Sequence, residues 1–219
     1  MKNFFAAICA AVIFFAVNVA RAEDLPFTDN FIPWSDERDA LGDEYTLEHY
    51  GQIYRQIVPR AVVVHWTAFG TFESVWKYFS AAKITDGSID DGTLNVASQF
   101  LCDRDGTIWR LMPETNFARH IIGYNYCAIG IENVGGYDGR EDLTEAQLAA
   151  NVRLIKYLHA KYPTIEYVFG HYQQDAARAS GLRVELVPDY YAIKTDPGPT
   201  FMRGLREQLE SDGLIFYDD

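Results

Sequence analysis

Five side chains in this sequence have the types and placements to do chemistry together. His65 closes an apolar run as "VVVHW", and His171 follows another as "VFGHY". Lys194 and Asp196 lie two residues apart in "IKTDPGP" (193–199), where two prolines and a glycine stiffen the backbone and hold both charged groups in place. Glu132 sits in "IGIENVGG", where a carboxylate is costly to bury unless it meets a cation, a metal-bound water or several donors. Two imidazoles and one carboxylate make the three-ligand nitrogen and oxygen set that leaves a fourth tetrahedral position open on zinc for water, as catalytic sites require. A lone histidine after an apolar strand is more often structural, but two in the same topological position beside a rigidly presented Asp196 favour the ligand reading. For Glu132 a structural salt bridge is the competing reading.

The elements that must position these residues follow from periodicity and caps. "AVVVHW" (61–66) is a continuous β-branched run, the mark of a strand buried on both faces. "AIGIENVGG" (128–136) and "IEYVF" (165–169) read as further strands, and "VASQFLC" and "TIWRLM" flank "DRDG" (103–106) as a hairpin. Helices are predicted over 35–51 with Gly51 as stop, over 71–82, over 145–161 with Thr144 and Gln147 as capping box, and over 200–210 after Pro199. Along the Glu132 strand, Ala128 and Gly130 share the glutamate's face and leave room for a substrate above it, whereas Ile129 and Ile131 take the other face. The expected fold is α/β, a mixed central sheet flanked by helices, with the candidate residues at strand ends where open α/β sheets display their sites.

Residues 1–22 form a separate unit: Lys2, the apolar run "FFAAICAAVIFFAVNVA", then "ARA" at 20–22. This reads as a signal peptide cut after Ala22; a membrane anchor is the alternative, but the run is short for a bilayer span. The remaining chain, 23–219, suits one domain, with no repeat, linker or second apolar span. Removing Lys2 and Arg21 leaves 17 basic residues against 31 acidic ones, moving the formal charge from -12 to -14. A nucleic-acid partner and stable membrane insertion are therefore excluded from the expectation, and a periplasmic or secreted monomer is expected. Cys102 and Cys127 survive processing, and either a disulfide or two buried thiols fits export.

At this point the sequence resembles the zinc-dependent N-acetylmuramoyl-L-alanine amidases of the type 2 group, which share their fold with peptidoglycan recognition proteins. The resemblance runs from about Val62 to Phe201 and rests on "VVVHWTA", "ASQFLCDRDGTIWRLMPE", "ARHIIGYNYCAIGIENVGG", "VFGH" and "KTDPGP" in that order. It implies that His65, His171 and Asp196 hold Zn2+, that Glu132 is the general base on the zinc-bound water, and that Lys194 stabilises the oxyanion. The stretch between His171 and Lys194 is longer than the family's compact version. Arg119, His120, Ile121 and Ile122 stand where relatives commonly read Trp-His-Ala-Gly, leaving His120 a candidate for sugar or peptide contact beside a structural reading. Gln99, a second candidate for substrate contact, replaces a histidine, tyrosine or asparagine often found there. His49 and His159 match nothing and read as ordinary helix residues.

The expected function is hydrolysis of the bond between N-acetylmuramic acid and L-alanine in peptidoglycan or its muropeptide fragments. Two rivals stand beside it: a muropeptide-binding module that does not cut, and a zinc peptidase acting on the stem peptide.

Overall fold

The computed structural model describes residues 28–88 and 90–218; the expected leader, its cleavage point and Cys9 lie outside them. The sheet has six strands: β1 (Thr28–Asp29), β2 (Ala61–Val64), β3 (Phe100–Cys102), β4 (Ile108–Arg110), β5 (Ala128–Asn133) and β6 (Tyr167–Gly170), in the order β1-β4-β3-β5-β2-β6. Only the β3–β4 hairpin pairs antiparallel; the other four pairings are parallel. The sheet is thus mixed, as expected, although β1 carries no apolar pattern that would announce it.

Among the described residues the α-helices are α1 (Asp36–Tyr50), α2 (Phe72–Ser80), α3 (Glu145–Lys161) and α4 (Pro199–Leu209). Ser35 caps α1 by accepting the Arg38 N–H at 3.2 Å, and Gly51 ends it at φ 75°, where a side chain would be strained. Thr144 and Gln147 form the reciprocal box at the start of α3, with N···O distances of 3.1 and 2.9 Å. Helix α2 lays Phe72, Val75 and Phe79 against Leu101 of β3 and Leu111.

Strand alternation sorts the core. Val62, Val64, Ile129, Ile131 and Val168 pack with the apolar stripes of α3 and α4, while Ala61, Val63, Ala128 and Phe169 meet Ile121, Tyr124 and Ala177 on the other side. Ile129 and Ile131 are fully buried, each stabilising by roughly 1.5–3 kcal/mol. Both faces of the parallel strands are covered, which is why they read as unbroken apolar runs.

Register also decides the cysteines. Cys102 pairs with Asn133, so Cys127, just before the neighbouring strand β5, lies six residues further back, about 20 Å away along the strand direction. A disulfide needs Cα atoms within about 7 Å. Both are free, buried thiols, which answers the question the sequence left open.

Candidate metal centre and active site

Parallel pairing brings the candidate residues into one row. Val64 of β2 is level with Ile131 of β5 and with Gly170 of β6, so the next residue on each, His65, Glu132 and His171, stands at the same height at the carboxyl end of the sheet. All three follow the alternation onto the face that carries Val63, Ala128 and Phe169. Asp196 arrives from the segment before α4, where its backbone carbonyl accepts the Tyr172 N–H at 2.9 Å.

His65 Nδ1, His171 Nδ1 and Asp196 Oδ2 form a nearly equilateral triangle, with edges of 3.0, 3.0 and 3.1 Å. All three residues are buried. Donors about 2.0–2.1 Å from a tetrahedral zinc lie roughly 3.3 Å apart, so the set fits such an ion with little adjustment. The chemistry of the donors agrees: three lone pairs converging at this distance repel unless a cation or a shared proton lies among them.

The electrostatics carry the same tension. Burial pushes the His171 imidazole down to about 4, outweighing the opposing pull of Asp196. Burial would raise the Asp196 carboxyl, but the close approach of the His171 and His65 rings outweighs it and holds the group well below the usual carboxylate range. Burial drives the Glu132 carboxyl well above that range, the Asp196 charge adds to the rise, and Lys194 opposes it. Glu132 Oε2 is buried and has no hydrogen-bond partner, and no ion pair joins Glu132 to Lys194 among the described residues. Glu132 therefore lacks the partner that the salt-bridge reading requires.

His65, Glu132, His171, Lys194 and Asp196 all line one cleft of ≈ 340 Å3. Lys194 is exposed. Trp66, Phe79, Val96 and Ile193 supply apolar wall, and none of these was singled out in the sequence, where each reads as an ordinary core or loop residue. Gln174 was also missed: its Nε2 donates to the Ala192 carbonyl at 2.5 Å, holding the segment that carries Lys194.

Of the two residues expected to contact substrate, His120 is on the lining of this cleft and Gln99 is not among its lining residues. Gln99 is fully buried; its Oε1 accepts the Gly130 N–H at 2.7 Å and its Nε2 donates to the Asn116 carbonyl at 2.8 Å. Because β3 begins only at Phe100, Gly130 has no strand partner on that side, and the Gln99 side chain completes the ladder. His120 is 8% exposed and lies behind His65, its Nδ1 3.0 Å from His65 Nε2 and its Nε2 3.2 Å from the Ala128 carbonyl. The room left by Gly130 is filled by the His120 ring: a Cβ on Gly130 would come within 2.9 Å of it. The space beside Gly130 thus holds a histidine that itself lines the cleft. His49 departs from the ordinary helix reading too, with Nδ1 2.8 Å from buried Glu185 Oε1.

A mixed sheet that displays two histidines, an aspartate and a partnerless glutamate in one cleft has the form of a hydrolytic site. A family model for N-acetylmuramoyl-L-alanine amidase matches residues 54–199, and the chain belongs to that type 2 amidase family. It is 31% identical to the endolysin of Escherichia phage T7 over 106 residues, covering 47% of this chain and 68% of the phage protein. The endolysin of Enterobacteria phage T3 is likewise 31% identical over 115 residues, covering 49% and 74%. Among solved structures, the endolysin N-acetylmuramoyl-L-alanine amidase LysCS from Clostridium intestinale URNW shares the fold, at TM-score 0.54 and 18% identity over 84% of this chain and 95% of that one.

Proposed function

We propose that this peptidoglycan amidase works with one zinc ion held by His65, His171 and Asp196, and that it cuts between the lactyl group of N-acetylmuramic acid and L-alanine. The observation that carries the reading is the buried triangle of donor atoms with edges of 3.0–3.1 Å. Zinc, when bound, supplies Lewis acidity towards water and the scissile carbonyl. Glu132 takes a proton from the attacking water at its unpartnered carboxylate and delivers it to the leaving nitrogen, so the C–N bond breaks to a carboxylate and the free amine of alanine. Lys194, held on the segment that also carries Asp196, faces the oxygen on which negative charge develops. The apolar wall formed by Trp66, Phe79 and Val96 limits water around these groups.

A partnerless buried carboxylate beside the donor set supports hydrolysis over simple muropeptide binding, since a binding module has no use for a free base. The "ARA" pattern at 20–22 supports export, with the leader removed after Ala22 and the enzyme acting in the periplasm or outside the cell. Incubating zinc-loaded protein with purified peptidoglycan and analysing the products by mass spectrometry tests the reading. New lactyl carboxylates paired with free alanine amines are expected. Cuts inside the stem peptide would make it a peptidase, and an unchanged wall a binding module.

A further inference from the structure

His120 is bound on both sides, and its two partners dictate where its proton lies. The Ala128 carbonyl can only accept, so the His120 nitrogen 3.2 Å away, Nε2, carries the hydrogen. In the neutral ring this leaves the lone pair on Nδ1, which lies 3.0 Å from His65 Nε2. His65 Nε2 must then be the donor, and the lone pair of His65 is left on Nδ1, the atom at the corner of the donor triangle. The rings meet edge to face at 89°, with centroids 5.2 Å apart. His171 has no such support: its Nε2 is buried and partnerless.

We infer that His120 is a positioning residue for the metal centre: it passes the acceptor character of the Ala128 carbonyl to His65 and holds that ligand in the tautomer whose Nδ1 lone pair faces the metal. The inference rests on the zinc reading of His65, His171 and Asp196. The surroundings are built for this contact. Asn125 Oδ1 accepts both the His120 and Ile121 N–H groups, at 2.8 and 2.7 Å, which fixes the turn that presents the ring. Gly130 has an ordinary strand φ, so its lack of a side chain serves the close approach of the ring rather than the backbone. A ligand imidazole whose outer N–H is held this way is both oriented and made a better donor.

The test uses zinc affinity, measured by competition with a chelator of known strength, on variants shown to be folded. His120→Leu keeps bulk but cannot accept a hydrogen bond, and should bind zinc ~10–100-fold more weakly than the unaltered protein. His120→Asn places an amide oxygen near the Nδ1 position and should restore most of the affinity. In the zinc-loaded unaltered protein, nitrogen NMR should find His120 with its proton on Nε2 and its unprotonated Nδ1 coupled to the His65 Nε2–H. Wild-type affinity in His120→Leu, or a proton on His120 Nδ1, overturns the inference. His65→Ala separates the two levels: if it retains full zinc affinity, the ligand assignment fails and this inference with it, whereas its loss of zinc beside an unaffected His120→Leu sinks this inference alone. The NMR measurement decides the question even if His120→Leu fails to fold.

Discussion

Glu132, Lys194 and Asp196 lie within one cleft, yet their substitutions should fail in different ways. Glu132→Gln keeps the shape and should keep zinc and melting temperature, while turnover falls by about 10²–10⁴, the usual contribution of a positioned general base. Lys194→Ala should also keep the metal and lose on the order of 10²–10³ in turnover, since an exposed ammonium helps only where charge develops. Asp196→Ala should lose zinc and activity together. Metal analysis, thermal melts and an amidase assay on the three variants separate these outcomes; near-normal turnover in Glu132→Gln would refute its role. The residues of this set were legible because each is polar chemistry at the end of an apolar run or in a stiff loop. The partners of Gln99 and His120, Gly130 and His65, were not legible, because they lie 31 and 55 residues away in the chain and no local pattern encodes such a pairing. Gly130 itself weakens its strand by roughly 0.5–1 kcal/mol relative to alanine, a cost accepted so that a ring can lie against the backbone.

At the scale of elements, helices read well because caps and stripes are local: α3 spans Glu145–Lys161, and Ser35 and Gly51 bracket α1 as the sequence indicates. Strands kept their identity but shortened, since a continuous apolar run does not mark where pairing stops. The stretch from 171 to 196 was least legible. It contains 3-10 turns at His171–Gln173 and Ala176–Ser180, then a strap tied down by contacts from distant elements. Val184 N–H donates to the Gly123 carbonyl at 2.9 Å, Leu186 N–H to the His49 carbonyl at 3.0 Å, and Arg119 to the Tyr190 hydroxyl at 2.7 Å. The His49–Glu185 pair is the buried fastening, with side chains 6% and 2% exposed. His49→Ala leaves that carboxylate only the Val187 N–H, 2.9 Å from Oε1, and should lower stability by roughly 3 kcal/mol in urea denaturation, while the double change His49→Leu with Glu185→Leu should recover most of it. A loss in His49→Ala below about 0.5 kcal/mol, the range of an ordinary surface change, would show that the strap is held elsewhere.

For the whole molecule, two expectations concern covalent state. The exported protein should begin at Glu23, which amino-terminal sequencing checks directly; a product retaining Met1 would refute export by cleavage. That protein should carry two thiols, both silent to a thiol reagent while folded, because burial pushes Cys102 and Cys127 up to about 12. Both should react once the unreduced chain is unfolded, and a disulfide would show as no reaction at all. Among the described residues no helix is long and apolar enough to cross a membrane.

The row formed by His65, Glu132 and His171 has one more consequence, and it concerns timing. Each member is supplied by a different parallel strand, and β2 pairs with β5 and β6, both made much later; Asp196 comes later still. The hairpin β3–β4 can close locally, but it carries none of the donor residues. A partly synthesised or partly folded chain therefore has no assembled metal site, and because a one-residue slip of any strand turns its side chains to the opposite face, neither has a misregistered one. On the zinc reading, the site is complete only once the last of these long-range contacts is made, so a nascent chain should have no wall-cutting activity.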